Sequence, residues 1–229
     1  MTKMIKDYIK KQVYKHPTLV RMIINLLARC HNYCHHKIAE LASILEGGFH
    51  PKHRITQYHK FFVDQVESDD SVLDVGCGIG LLSYKVAQKA KKVVGIDFSE
   101  KNINYARNHY QHSNLEFVLG DVTTYKFPGQ FDKIILSNVL EHIDDRVNLL
   151  KVLRRISNTI LFRVPMEDRD WLTVYKKECG LEYRLDITHR LEYRLETIEE
   201  ELAAAGWKID KHRVVWGEFW AILVKSDDQ

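Results

Sequence analysis

The sequence has few cysteines and no internal repeat or low-complexity segment. Its four cysteines are scattered along 229 residues, at Cys30, Cys34, Cys77 and Cys179. This spacing does not form the paired framework of a small secreted disulfide domain, so it predicts free thiols and a reducing compartment. We therefore expect a cytoplasmic protein.

The sequence also lacks a long apolar run. The most apolar early stretch, residues 19–28, contains Arg21 and Asn25 and is too short to cross a bilayer. Asp7 and Lys10 interrupt the N-terminus where a secretory signal would need its apolar core. We expect neither a membrane span nor a secretory signal.

Charge is nearly balanced overall, at +3, but it is unevenly distributed. Residues 1–60 carry eleven Lys and Arg against three acidic residues, and seven of the twelve histidines. Such a basic arm could contact phosphate, a membrane surface or an acidic substrate. A solvated amphipathic helical cap is the alternative that we favour.

The first part of the chain has a helical pattern. Apolar residues recur at helical spacing in two stretches within residues 1–46, and Gly47-Gly48 marks the end of the second. A further helix is predicted over residues 55–66. We assign residues 1–66 to an N-terminal helical extension or lid, and residues 67–229 to a second domain.

From Ser71 onward, short apolar runs alternate with amphipathic helices, which predicts a doubly wound, mostly parallel α/β sheet. The predicted strands cover residues 72–75, 92–96, 115–119, 133–137, 159–164, 209–215 and 219–224. The predicted helices between them cover residues 81–90, 100–110, 146–156 and 197–205, with Ser99 as an N-cap. Three residues separate the last two strands, which permits a hairpin but no parallel crossover.

A glycine-rich loop follows the first strand. Glycines stand there at alternate positions, Gly76, Gly78 and Gly80, just before a predicted helix. Glycine allows the backbone to turn sharply and to approach a ligand closely, and a helix N-terminus suits a pyrophosphate or a carboxylate. Cys77 is expected to be a small residue that fills space within the loop.

Further polar residues stand at the ends of the next strands. Asp97 ends the second strand, where it can accept hydrogen bonds from both hydroxyls of a ribose, and Phe98 could pack against an adenine. Asp121 follows the third strand and could accept from an exocyclic amine. The fourth strand leads into Asn138 and the pair Glu141-His142.

These four blocks, in this order and spacing, resemble class I S-adenosylmethionine methyltransferases over residues 70–225. The resemblance implies a seven-stranded, Rossmann-like sheet with an antiparallel last strand, and S-adenosyl-L-methionine as the cofactor. It implies that the loop at 76–80 holds the methionine moiety, Asp97 the ribose and Asp121 the adenine end. We also assign Asp74, Val122 and Asn138 to the predicted cofactor site. The stretch at 140–142 looks like the branch that methylates small molecules, including quinone precursors and sugars.

Each predicted site residue has a structural alternative. Asp74 could contact the cofactor's ammonium group or only brace the glycine loop. Asp97 could cap a helix, and Asp121 could make a local turn. His142 and His189 are the candidate general bases, although a lone histidine is commonly structural.

Residues 51–59 could fold over the cofactor pocket, with Arg54 or Tyr58 reaching the cofactor carboxylate or the acceptor. The alternative is a basic helix that only packs on the sheet.

No metal site is expected. Some related enzymes bind a divalent cation through an acid three residues before the Glu-His pair, and that position is Asn138 here. The group Cys30, Cys34, His35 and His36 lacks the usual spacing of zinc ligands.

The sequence therefore predicts methyl transfer to oxygen or nitrogen of a small molecule or of a glycan or lipid precursor. An RNA-modifying methyltransferase is one alternative, supported by the basic arm, but no RNA-binding module is recognisable and a nucleic-acid partner is not expected. A non-catalytic, cofactor-binding interaction protein is the other. The acceptor and the oligomeric state stay open.

Overall fold

The computed structural model describes residues 12–127 and 129–226. The first eleven residues of the predicted helical extension lie outside the described residues. The chain divides into two compact units, Met1–Ile55 with Leu172–Tyr183, and Thr56–Trp171 with Arg184–Gln229. The domain division predicted from the sequence, at 66/67, stays a prediction.

The first unit is built around one long helix, α1 (Pro17–Leu45), which begins with Pro17 at a position where its missing N–H costs nothing. The two apolar stretches predicted from the sequence lie in this continuous helix. Asn32 joins it to the segment 172–183, because its side chain donates to the Glu182 carbonyl over 2.9 Å and accepts from Lys176 Nζ over 2.7 Å. In the described part of the chain, the helices are too short or too polar to cross a membrane.

The remaining elements follow in chain order. The helices are α2 (Lys52–Thr56), α3 (Tyr58–Asp64), α4 (Leu81–Ala87), α5 (Glu100–His109), α6 (Arg146–Arg154), α7 (Trp171–Glu178) and α8 (Leu195–Ala204), with a 3-10 turn at Leu140–His142. The strands are β1 (Ser71–Val75), β2 (Lys92–Asp97), β3 (Leu115–Leu119), β4 (Lys133–Ser137), β5 (Thr159–Pro165), β6 (Trp207–Val215) and β7 (Glu218–Lys225).

The seven strands form one sheet in the order β3-β2-β1-β4-β5-β7-β6. The first five are parallel, and β7 runs antiparallel to both β5 and β6. The predicted α/β class and the closing hairpin are confirmed. Trp216 and Gly217 make its two-residue turn with φ of 56° and 71°, the backbone of a type I′ hairpin. A Cβ at Gly217 would lie 2.5 Å from Arg169 Cβ, so this turn has no room for a side chain.

Helices cover both faces of the sheet. Phe62 of α3 and Val86 of α4 pack on one face, and Leu150 of α6 and Leu202 of α8 belong to the core on the other. The central strands β1 and β4 are therefore buried on both sides, which explains their continuous apolar sequences. Their carboxyl ends meet at one edge of the sheet.

Two local features differ from the sequence prediction. The helix predicted over residues 55–66 is divided at Gln57, whose φ of 49° interrupts the helical hydrogen bonding between α2 and α3. Helix α7 was not predicted, because its eight residues are too few for a clear apolar period. The Ser99 cap is confirmed, since its hydroxyl accepts from Asn102 N.

Candidate functional site

A cavity of about 500 Å³ lies at the carboxyl edge of the sheet, within the second unit. Residues at the ends of successive strands line it, including Val75 after β1, Asp97 at the end of β2, Gly120 after β3 and Asn138 after β4. Parallel α/β sheets bind ligands at this edge, where the strand order reverses beside β1. The topology therefore places most of the predicted polar residues around one space.

The glycine loop enters the cavity wall through Gly76. Its φ is 65°, and a Cβ there would lie 2.5 Å from Val139 Cγ2, so glycine alone fits this position. Gly78 and Gly80 shape the loop without lining the cavity. Cys77 is buried, and burial raises the pKa of its thiol. The buried position of Cys77 agrees with the expectation that this small residue fills space within the loop.

Asp97 is held in place by the loop and by the next helix. Its Oδ2 accepts from Gly78 N over 2.9 Å, and its Oδ1 accepts from Ser99 N over 2.8 Å. Asn102 Nδ2 lies 3.4 Å from the same Oδ1. A carboxylate has about four acceptor positions, so bracing the loop leaves Asp97 capacity for a ligand in the cavity that it lines.

Asp74 lies beneath the loop rather than at the cavity wall. Its carboxylate is almost completely buried and accepts from Ser83 Oγ over 2.6 Å. Burial raises its pKa to about 7, opposed by the Ser83 hydrogen bond and assisted by the charge of Asp97. The surroundings match the bracing alternative, and cofactor contact stays a prediction.

Residues that follow β2 and β3 also line the cavity. Phe98 is 82% exposed, so its ring is available to a flat ligand. Val122 is buried and lines the same wall. Asp121 Oδ1 accepts from the backbone N–H and the hydroxyl of Thr123, over 2.8 and 2.7 Å. Asp121 therefore both makes the local turn and faces the cavity.

Asn138 has an unusual backbone for a non-glycine residue. Its φ is 54°, in the left-handed region, and its N–H donates to the Arg163 carbonyl over 2.8 Å. Its side-chain Oδ1 is buried without a hydrogen-bond partner within the described residues. Such strain, together with an unsatisfied acceptor, is typical of a ligand-binding position.

His142 lines the cavity and is connected to a second loop. Its Nδ1 lies 3.1 Å from Thr188 Oγ1, and Thr188 Oγ1 lies 2.8 Å from Asp186 Oδ1. Hydrogen bonds from Thr188 hold the pKa of Asp186 below its usual range, although burial opposes them. The ionised Asp186 thus accepts a hydrogen bond from the Thr188 hydroxyl, and Thr188 Oγ1 accepts one from His142 Nδ1–H. This arrangement leaves His142 Nε2 with a free lone pair.

His189 lies behind His142 and does not line the cavity. It is buried, and its Nδ1 lies 3.1 Å from Glu192 Oε1. Its ring packs edge-on against His142. The two histidines therefore form one cluster, in which His142 lines the cavity and His189 packs against His142.

The same cluster could hold a cation. Glu141, His142 and His189 each offer one ligand atom, and these atoms lie within 4.8 Å of one another. His189 comes from a distant part of the chain, so the sequence did not associate it with the Glu-His pair. Absence of a metal requirement stays a prediction.

The two contacts predicted from the arm belong to different units. Arg54 belongs to the first unit, where its guanidinium pairs with Glu46. Tyr58 is buried in the second unit, with its ring 3.9 Å from the Arg163 guanidinium carbon, and burial raises its pKa to about 12. Their predicted roles at the cofactor stay predictions.

Sequence reasoning missed several lining residues. Val139 and Ile143 flank the 3-10 turn, and Thr188 and Arg190 come from the insert after β5. Arg190 Nε lies 3.1 Å from Asp144 Oδ1, and both side chains are exposed. Only their position near strand ends or beside His189 could have indicated them, since their residue types carry no motif.

Comparison with known proteins agrees with this geometry. Residues 72–159 match a family model described as a methyltransferase domain. A ubiquinone biosynthesis O-methyltransferase of Pseudomonas paraeruginosa is 32% identical over 117 residues, which cover 48% of this chain and 50% of that protein. A protein of the same name from Erwinia tasmaniensis is 28% identical over 177 residues, which cover 70% of this chain and 72% of that protein. The chain thus spans about half the length of relatives such as the first.

Solved structures share the fold. A magnesium protoporphyrin IX methyltransferase from Synechocystis PCC 6803, with bound SAH, superposes with a TM-score of 0.60 at 23% identity, covering 74% of this chain and 82% of that one. An S-adenosylmethionine-dependent methyltransferase from Clostridium acetobutylicum gives a TM-score of 0.58 at 15% identity, covering 84% and 99%. Residues 72–159 thus match a methyltransferase domain, and the seven-stranded sheet has the fold of solved S-adenosylmethionine-dependent methyltransferases.

Proposed function

We propose that this protein transfers a methyl group from S-adenosylmethionine to an oxygen or nitrogen atom of a small molecule or of a glycan or lipid precursor. One observation carries the proposal. A single cavity is lined by Gly76 and Asp97 and also by His142. Groups suited to a nucleoside cofactor and a group suited to proton removal therefore face the same space.

The cofactor side would use residues already described. Asp97 would accept hydrogen bonds from ribose hydroxyls, and the exposed ring of Phe98 would pack against adenine. Asp121 and Val122 would contact the far side of the base. The methionine moiety would lie in the cavity beside Gly76, which lines it together with Val139.

When bound, S-adenosylmethionine supplies an electrophilic methyl group on a sulfonium. The protein must orient the acceptor and remove its proton. His142 would remove this proton, because the contact between its Nδ1 and Thr188 leaves Nε2 as the acceptor atom. Burial, and then the nearby His189, lower the pKa of His142, which keeps its ring neutral at pH 7. His189 would act by positioning His142.

The names of the relatives support an acceptor with a hydroxyl group, since they describe O-methyl transfer in ubiquinone biosynthesis. Ile143 and Val139 add apolar surface beside His142, which suits an aromatic or lipid-like acceptor. The cysteines, which are free in the structure, are compatible with a cytoplasmic location, as predicted.

Calorimetry and a transfer assay would test this function. S-adenosylmethionine and S-adenosylhomocysteine should bind, and NAD should not compete. Labelled cofactor incubated with fractionated host extract should place label in a small-molecule, glycan or lipid fraction. Label in RNA would favour the RNA-modifying alternative. Tight cofactor binding without methyl transfer to any fraction of the extract would favour a non-catalytic protein. Failure to bind either cofactor form would refute the proposal.

A further inference from the structure

Helix α1 exposes a broad apolar surface. Seven of its large apolar side chains have between 58% and 69% of their surface exposed: Met22, Leu26, Leu27, Tyr33, Ile38, Leu41 and Ile44. We call these seven residues the apolar face of α1. At 100° per residue they occupy about 160° of the helix circumference. Apolar surface of this extent is unfavourable in water and marks a contact surface.

Positive charge accompanies the apolar face. Within α1, Glu40 is the one acidic residue, and it pairs with Lys37 inside the arc of the apolar face. Arg29 lies beside that face, and Arg21 lies on the other side of the helix. An apolar face combined with basic residues is the pattern of helices that lie in the plane of an anionic bilayer surface.

We propose that α1 binds an anionic lipid surface, with its apolar face at the boundary between headgroups and acyl chains. Lipid phosphates would neutralise the basic residues, and the apolar side chains would leave water. This inference is independent of the proposed methyl transfer, because it rests on the exposure and charge of α1 alone.

The position of Arg29 favours lipid over a second copy of the chain. Arg29 comes three residues after Leu26 and four before Tyr33, so it lies beside the apolar face. A two-fold contact through that face would bury Arg29 of both copies, and Glu40, the one carboxylate of α1, is already paired with Lys37. On a bilayer, an arginine stem can lie along apolar groups while its guanidinium reaches the phosphates.

Vesicle co-sedimentation of the full-length chain would test the proposal. The protein should bind vesicles that contain phosphatidylcholine and phosphatidylglycerol. It should bind more weakly to vesicles of phosphatidylcholine alone, and more weakly to the anionic vesicles in high salt. The double variant Leu26→Gln, Leu41→Gln should lose at least about tenfold in partitioning to vesicles. The reason is that it removes two leucine side chains that would leave water at the boundary between headgroups and acyl chains. The matched control Thr18→Gln, His36→Gln changes exposed positions outside the apolar face and should bind like the wild type.

Circular dichroism would verify that each variant keeps its helix, and sedimentation velocity would report self-association. Absence of binding to anionic vesicles, or equal binding by wild type and double variant, would overturn the proposal. So would self-association that the double variant loses without any vesicle binding, which would assign the face to a second copy. Calorimetry of S-adenosylhomocysteine on the same variants should show unchanged affinity, which separates this test from that of methyl transfer.

Discussion

The imidazole ring of His142 packs edge-on against that of His189, with ring centroids 4.8 Å apart and planes at 78°. Burial first, and the charge of His189 second, lower the pKa of His142 from its ordinary 6.5, while Asp186 opposes the shift. His142 is therefore neutral at pH 7. A neutral imidazole is the form that can accept a proton from the acceptor.

This relationship predicts the pH dependence of turnover. Protonated His142 cannot act as a base, so kcat/KM should rise with pH through an acidic limb centred below the ordinary histidine pKa of 6.5. Replacing His189 with Gln removes a nearby imidazole charge, which raises the pKa of His142 and should move the limb toward higher pH. The profile would be measured across the acidic and neutral range with an identified acceptor. A limb that does not move in His189→Gln would exclude electrostatic coupling between the two rings.

Loss of His142 should reduce chemistry without weakening cofactor binding. His142→Ala is expected to lower turnover by roughly 100- to 10,000-fold, the usual range for removal of a general base. Thr188→Val keeps the shape of Thr188 but removes the hydroxyl that orients His142, and should cost about tenfold. His212→Ala, at an exposed position on β6, is the matched control. Wild-type turnover in both His142→Ala and His189→Ala would assign proton removal elsewhere.

Removal of the Asp97 carboxylate should weaken cofactor binding. Asp97→Ala loses hydrogen bonds to an ionised acceptor, so calorimetry should show a loss of roughly 1.5–3 kcal/mol for S-adenosylhomocysteine. Part of that loss could come from the brace that Asp97 gives to Gly78 N. Asn102→Ala removes another contact to the same carboxylate outside the cavity wall and should bind nearly normally. Equal affinity in wild type and Asp97→Ala would refute the ribose assignment.

Asp74 should make the folded state sensitive to pH. Because burial raises its pKa to about 7, folding favours the protonated form. Its ionisation therefore costs stability as the pH rises from about 4 to 7, between the unfolded and folded pKa values. Asp74→Asn should raise Tm at mildly alkaline pH by on the order of a few degrees and flatten the dependence on pH.

The same variant would separate the two roles considered for Asp74. The asparagine side chain in Asp74→Asn retains an oxygen that can accept from Ser83, so the loop brace should survive. Unchanged cofactor affinity in this variant would support the brace, whereas a large loss would indicate contact with the cofactor ammonium. A lower Tm than the wild type at mildly alkaline pH would contradict the predicted burial penalty.

A chelator should leave turnover unchanged. Glu141, His142 and His189 could hold a cation, but Asn138, three residues before the Glu-His pair, is a weaker ligand for a hard cation than a carboxylate. Activity would be compared before and after treatment with EDTA. Loss of activity that Mg²⁺ or Zn²⁺ restores would instead assign a metal role to this cluster.

Local sequence patterns determined much of the fold. The predicted bounds of all seven strands lie close to the observed ones. For the central strands β1 and β4 the reason is that a parallel strand buried on both faces needs nearly continuous apolar side chains. Ser99 was recognisable as a cap, and the short link before β7 required a hairpin. On the cavity wall, Gly76 and Asp97 were predictable for the same reason, since strand ends and glycine turns are local signals.

The tertiary structure alone decided which residues share the site. Thr188 and His189 lie far from His142 in the chain, and no local pattern shows that Thr188 orients His142 while His189 packs behind it. The strained backbone of Asn138 was equally hidden, and the sequence left open whether Asp74 braces the loop or contacts the cofactor. Periodicity reports which side chains are buried, but the strand order and the path of the insert after β5 determine which of them meet.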